Sequence, residues 1–89
     1  MSRIIGGSAY AMAHQVSEGY VLVTERTFKG LAAHDLQQIG FEIEKLLKVL
    51  RGEQPPSDDH QALQARNRKI QRLTSCRSML QSYRQRFRV

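Results

Sequence analysis

Pro55-Pro56 interrupts the chain between its two long amphipathic stretches, and that break governs what the chain can fold into. Proline lacks a backbone N–H and its ring collides with the carbonyl one turn earlier, so two in succession end a helix. Upstream, Leu36, Ile39, Ile43, Leu46 or Leu47, and Leu50 recur at spacings of three and four, the pattern of one buried helical face. Downstream, Ile70, Leu73, Cys76, Leu80, Tyr83 and Phe87 repeat it. Thr27 or Lys29-Gly30 is the expected start of the first helix, and Gly52 its expected stop in a left-handed cap. Ser57 suits the N-cap of the second, with Asp58 and Asp59 favoured by the dipole of its first turn. Short connections join antiparallel neighbours. The expected fold is therefore mainly all-α: an antiparallel two-helix hairpin, with helix one over 27–52, a loop over 53–57 and helix two over 58–87.

Residues 1–26 are less regular. Gly6-Gly7-Ser8 is a break, Ala9 to Val16 can form a short helix, and Tyr20-Val21-Leu22-Val23-Thr24 is rich in strand formers. A short extended or strand segment is expected there. With no second strand in the chain, it would pair with its own copy, join another protein's sheet or be absorbed into helix. Eighty-nine residues allow a single small domain.

The formal net charge is +6, and the excess sits in the last third: from His60 onward there are eight Arg or Lys and no Asp or Glu. Projected at 100° per residue, Arg66, Arg77, Arg84 and Arg88 flank the apolar stripe on one side and Arg68, Arg72 and Arg86 on the other, while Lys69 falls within it. The back face, including Gln71, Thr74, Ser78 and Ser82, is polar but uncharged. Flanking arginines lay their stems over the apolar edge and reach toward whatever packs alongside. In an antiparallel hairpin Glu44 is expected near Arg66, Glu42 near Arg68, and Asp35 within range of Arg72 or Arg77. Beyond them Arg77, Tyr83, Arg84, Arg86, Phe87 and Arg88 make a basic, aromatic end, with only Glu25 in prospect as an acid. That end is the expected partner-binding site.

Catalysis finds little footing. His14, His34 and His60 are far apart, no metal-ligand spacing is present, and Gly6-Gly7-Ser8 lacks the spacing of a nucleotide loop. Neither a cofactor nor an enzymatic activity is expected. Cys76 falls on the apolar stripe, where a free cysteine acts as a small buried hydrophobe. One cysteine excludes an internal disulfide framework, and no run of about eighteen apolar residues could span a membrane, so a cytoplasmic protein is expected.

A lone two-helix hairpin buries too little apolar surface to offset its conformational entropy. Leu36, Ile39, Ile43, Leu46, Leu50, Ile70, Leu73 and Leu80 are accordingly expected to form a core that doubles as an oligomer face, in a homodimeric four-helix bundle or a complex with another protein. Off-stripe Leu31, Phe41, Val49 and Met79 need cover too. The functional expectation is a small helical protein–protein interaction module, such as an adaptor, chaperone or regulatory subunit. The alternative is a nucleic-acid-binding regulator using the basic second helix; a filament subunit is a third possibility.

Overall fold

Four helices make up most of the described residues (4, 7–53 and 58–87) of the computed structural model: α1 (Ala9–Glu18), α2 (Glu25–Phe28), α3 (Ala33–Gly52) and α4 (His60–Phe87). No strand forms among these residues. Each boundary has a local cause. Ser8 caps α1, its Oγ accepting the Ala11 N–H at 3.1 Å. Gly19 closes the helix at φ +81°, with its N–H donating to the Val16 carbonyl and that of Tyr20 to the Gln15 carbonyl. This double closure needs a left-handed residue, which glycine supplies without strain.

The first long helix begins six residues later than the expected 27, because the chain first makes the single turn of α2 and then reverses through Gly30 at φ +83°. Asp35, expected to reach across to the last helix, instead accepts the Ala32 N–H at 3.2 Å and steadies the start of its own helix. At the other end Gly52 remains helical instead of left-handed, and the chain leaves through an extended Glu53. The expected N-cap Ser57 and the Pro55-Pro56 pair lie outside the described residues. Asp59 caps α4, its carboxylate accepting the Ala62 N–H at 3.0 Å.

Helices α1, α3 and α4 pack on one another, and α2 packs on α4. Leu36, Ile39, Ile43, Leu47 and Leu50 line the buried face of α3 and meet Leu73, Cys76 and Leu80 of α4. Of the Leu46-Leu47 pair, Leu47 is the core residue; Leu46 and Ile70 sit partly buried at the margin. Met12, Ala13 and Val16 of α1 and Phe28 of α2 complete the core. The apolar face expected to need a second chain is therefore covered from within, and Leu31 and Met79 find cover there too. Gly40 faces Leu80, and a Cβ placed on it would stand 3.5 Å from Leu80 Cδ2. That is ordinary contact, so packing does not demand glycine there.

Between α1 and α2 the chain forms a strap along α4. Gly19 lies against the Arg72 guanidinium, Val21 and Val23 line a small cavity with Cys76 and Met79, Glu25 pairs with Arg86, and Phe28 meets Tyr83. From Gly19 to Glu25 the numbers rise together on both segments, so the strap follows the direction of α4 before Phe28 steps back to Tyr83. The expected strand does not form: the chain bends at Tyr20 and Val21 and is extended at Thr24, where it enters α2.

Candidate functional site

The basic residues of α4 engage other parts of the same chain. Arg66 donates through Nε to the Leu50 carbonyl at 2.8 Å and through a terminal nitrogen to the Arg51 carbonyl at 3.3 Å. Arg72 donates to the Ser17 carbonyl at 2.9 Å. These carbonyls lie in the last turns of α3 and α1, where the helix dipole concentrates negative charge and cations are favoured, and the Leu50 carbonyl also accepts the Glu53 N–H at 3.3 Å. Lys69 supports the same end of α1 through Glu18, at 3.0 Å. Buried Ser17 is satisfied as well, its hydroxyl donating to the His14 carbonyl at 2.8 Å.

The cross-helix pairs differ from those expected. Glu44 meets Arg77 at 2.9 Å, about three turns beyond Arg66, and Glu42 turns back to Lys45 of its own helix at 3.8 Å instead of reaching Arg68. Two geometric effects explain the shift. The helices end at Gly52 and resume at His60, a longer connection than expected. In addition, long helical side chains lean toward the N-terminus of their own helix, so Arg77 covers the turn before it.

The expected partner-binding residues divide in the same way. Arg77 holds Glu44, and Arg86 forms an ion pair with Glu25. Tyr83 is half-buried against Phe28, with ring centroids 5.6 Å apart. Arg84 is half-buried and engaged as well. Phe87 remains 50% exposed, its ring tilted at 40° to that of Tyr83 with centroids 4.7 Å apart, and lies beneath the Arg86 guanidinium at 5.1 Å. Arg88 lies outside the described residues.

Two apolar surfaces stand open elsewhere. On the α1–α3 face Tyr10, Phe41 and Val49 are 60%, 57% and 56% exposed. Tyr10, His14, Leu46 and Val49 line a shallow groove of about 250 Å³ with Glu42 and Lys45 at its edge. Phe41 carries Lys45 over its ring at 5.3 Å and shares a neighbouring depression with Lys48 and Arg51. On the strap Tyr20 and Leu22 point outward at 78% and 88% exposure. Hydropathy spacing could not reveal the first surface, because Phe41 and Val49 sit off the buried stripe and only the placement of α1 sets Tyr10 beside Val49.

Cys76 is buried on α4, and burial pushes its thiol up from 9.0 to about 11. At neutral pH it is protonated and a poor nucleophile. Among the described residues, no three histidine, cysteine or acidic side chains are gathered closely enough to hold a metal ion, and no helix is long and apolar enough to cross a membrane. No family model, curated protein or solved structure matches this chain.

Proposed function

We propose that this chain is a small helical protein-binding module whose partner docks on the α1–α3 face. The observation that carries this reading is the exposure of Tyr10 and Val49 on one groove and of Phe41 in the depression beside it, the two sharing Lys45 at their edge. Large apolar side chains gathered on one face and edged by Lys45, Lys48 and Arg51 together with Glu42 and Glu44 suit an amphipathic segment with charged margins. The half-exposed Phe87 beside Arg86 offers the same chemistry at the end of α4. An adaptor or regulatory subunit works through surfaces of this kind.

The nucleic-acid alternative draws on the same charge excess with less support, since Arg66, Lys69, Arg72, Arg77 and Arg86 are directed at carbonyls and carboxylates of the chain itself. Phosphate binding calls for cations free to replace counterions. The test uses a Phe41→Ser, Val49→Ser variant, whose exposed sites leave the helical spectrum unchanged. Photo-crosslinking from position 41 in the native source is expected to yield discrete protein adducts that the Val49→Ser change diminishes. Salt-dependent retention of mixed-sequence RNA or DNA, equal in wild type and variant and without protein adducts, would favour the alternative.

A further inference from the structure

The strap and α2 together form a segment that is bonded within itself and only sparsely to the rest of the chain. Gly19 at φ +81° and Gly30 at φ +83° bracket it. Its hydrogen bonds stay local: the Tyr20 N–H reaches back to Gln15 at the first glycine, the Thr24 N–H donates to Thr27 Oγ1, and the Lys29 N–H donates to the Arg26 carbonyl. Beyond the second glycine the Leu31 N–H donates to the Phe28 carbonyl. The N–H and C=O groups of Val21, Leu22 and Val23 make no hydrogen bond among the described residues. Attachment to α4 rests on the ion pair of Glu25 with Arg86, the contact of Phe28 with Tyr83, and the cavity wall that Val21, Leu22 and Val23 share with Cys76 and Met79.

We propose that residues 20–29 are a flap, hinged at Gly19 and Gly30 and latched by Glu25 on Arg86, which lifts from α4 while α1, α3 and α4 stay packed together. Three features give it this freedom. First, a glycine changes its backbone angles without a Cβ collision, so both ends of the segment can swivel. Second, the space under the middle of the flap is already incompletely filled, with a cavity of about 130 Å³ between Val21–Val23 and α4. Side chains that border a void give up fewer contacts when they leave.

Third, the latch lies at the surface. Glu25 and Arg86 keep 44% and 59% of their side chains exposed, so salt screens their attraction. The fully buried Phe28 keeps the flap shut most of the time, which makes opening a rare local event distinct from unfolding of the three-helix core. When the flap lifts, α4 is uncovered from Cys76 to Arg86: the chain's one cysteine loses three of the side chains around its cavity, Tyr83 loses Phe28, and Arg86 loses its carboxylate.

Labelling of Cys76 in the full chain with N-ethylmaleimide at pH 8 reads this motion. Burial holds the closed thiol protonated, with its value at about 11, so the reaction reports the open form. Wild type is expected to react at least tenfold faster than global unfolding permits, at a rate nearly independent of low denaturant concentrations. In about 20 mM salt, Glu25→Gln is expected to speed labelling about two- to fivefold, and about 1 M salt should bring wild type to the rate of the variant. The exchange of charges in Glu25→Arg with Arg86→Glu is expected to restore slow labelling. A wild-type rate that matches global unfolding in size and denaturant dependence would overturn the flap. Equal rates for wild type and Glu25→Gln at low salt would overturn the latch. Acceleration accompanied by lost amide protection throughout α3 would assign the effect to the whole fold and overturn both. None of these outcomes bears on the groove around Tyr10 and Val49.

Discussion

Helix α3 places five of its twenty residues in the core and keeps most of its polar side chains on the outer side, whereas α4 places only three of twenty-eight there. What α4 lacks in apolar burial it supplies laterally, through Arg66, Lys69, Arg72, Arg77 and Arg86, each reaching a carbonyl or carboxylate on a neighbouring segment. One helix is held mainly by what it removes from water. The other acts as a spine from which cations clamp the ends of α1 and α3. The two kinds of attachment differ in size: a buried aliphatic side chain contributes about 1.5–3 kcal/mol, whereas a partly solvated hydrogen bond contributes about 0.5–1.5 kcal/mol and an exposed ion pair about 0–1 kcal/mol.

Truncating α3 should therefore cause the largest damage. Ile43→Ala empties a fully buried position of the core and is expected to lower the unfolding free energy by about 2–5 kcal/mol in a denaturant titration. A loss below about 1 kcal/mol would mean that α3 does not depend on burial. Next comes the buried thiol of α4. With its folded value raised from 9.0 to about 11, Cys76 is neutral in both folded and unfolded chains below pH 9 and adds no pH dependence there. As pH rises above 9 the unfolded chain releases the proton while the folded chain keeps it, so unfolding is favoured and stability falls until the folded value is passed. The loss is on the order of 2 kcal/mol across this window. It should disappear from the alkaline stability profile of Cys76→Ala, and a profile unchanged by that substitution contradicts the burial of the thiol.

The smallest effect isolates a clamp. Arg72→Met keeps the aliphatic stem but removes the hydrogen bond to the Ser17 carbonyl, and a loss of about 1 kcal/mol is expected. The accompanying signature is local: faster amide exchange in the last turn of α1, with α3 unaffected. Uniform acceleration across all helices would show that Arg72 supports the whole fold and not one helix end.

How much of this was legible in the sequence follows the same division. Burial leaves a periodic trace, so Leu36, Ile39, Ile43, Leu50, Leu73 and Leu80 were readable as one core from spacing alone. The covering helix was harder to read. Ala9, Met12, Ala13 and Val16 do follow helical spacing, but over barely three turns and with small side chains, so nothing marked them as the lid that closes the α3–α4 face. Phe28 joined the core through a single turn that periodicity cannot resolve.

Most arginine partners left no trace. Spacing placed these side chains on the flanks of the stripe, as observed, but a backbone carbonyl at a helix end is invisible in a sequence, and carboxylates were the only partners that could be guessed. The basic aromatic end of α4 shows this best: Glu25 was foreseen as the nearby acid and Arg86 does pair with it, whereas the contact of Tyr83 with Phe28 depends on where the strap leads.

The bond from Arg72 to Ser17 joins residues separated by 55 positions, and that separation has a kinetic meaning. Contacts between distant positions require closure of a long loop, and rates fall as such contacts come to dominate. On a ribosome, α1 and the strap emerge well before the helix that clamps them, so their apolar side chains stay uncovered while most of the chain is synthesised. The spine arrives late, and the fold closes only when it does.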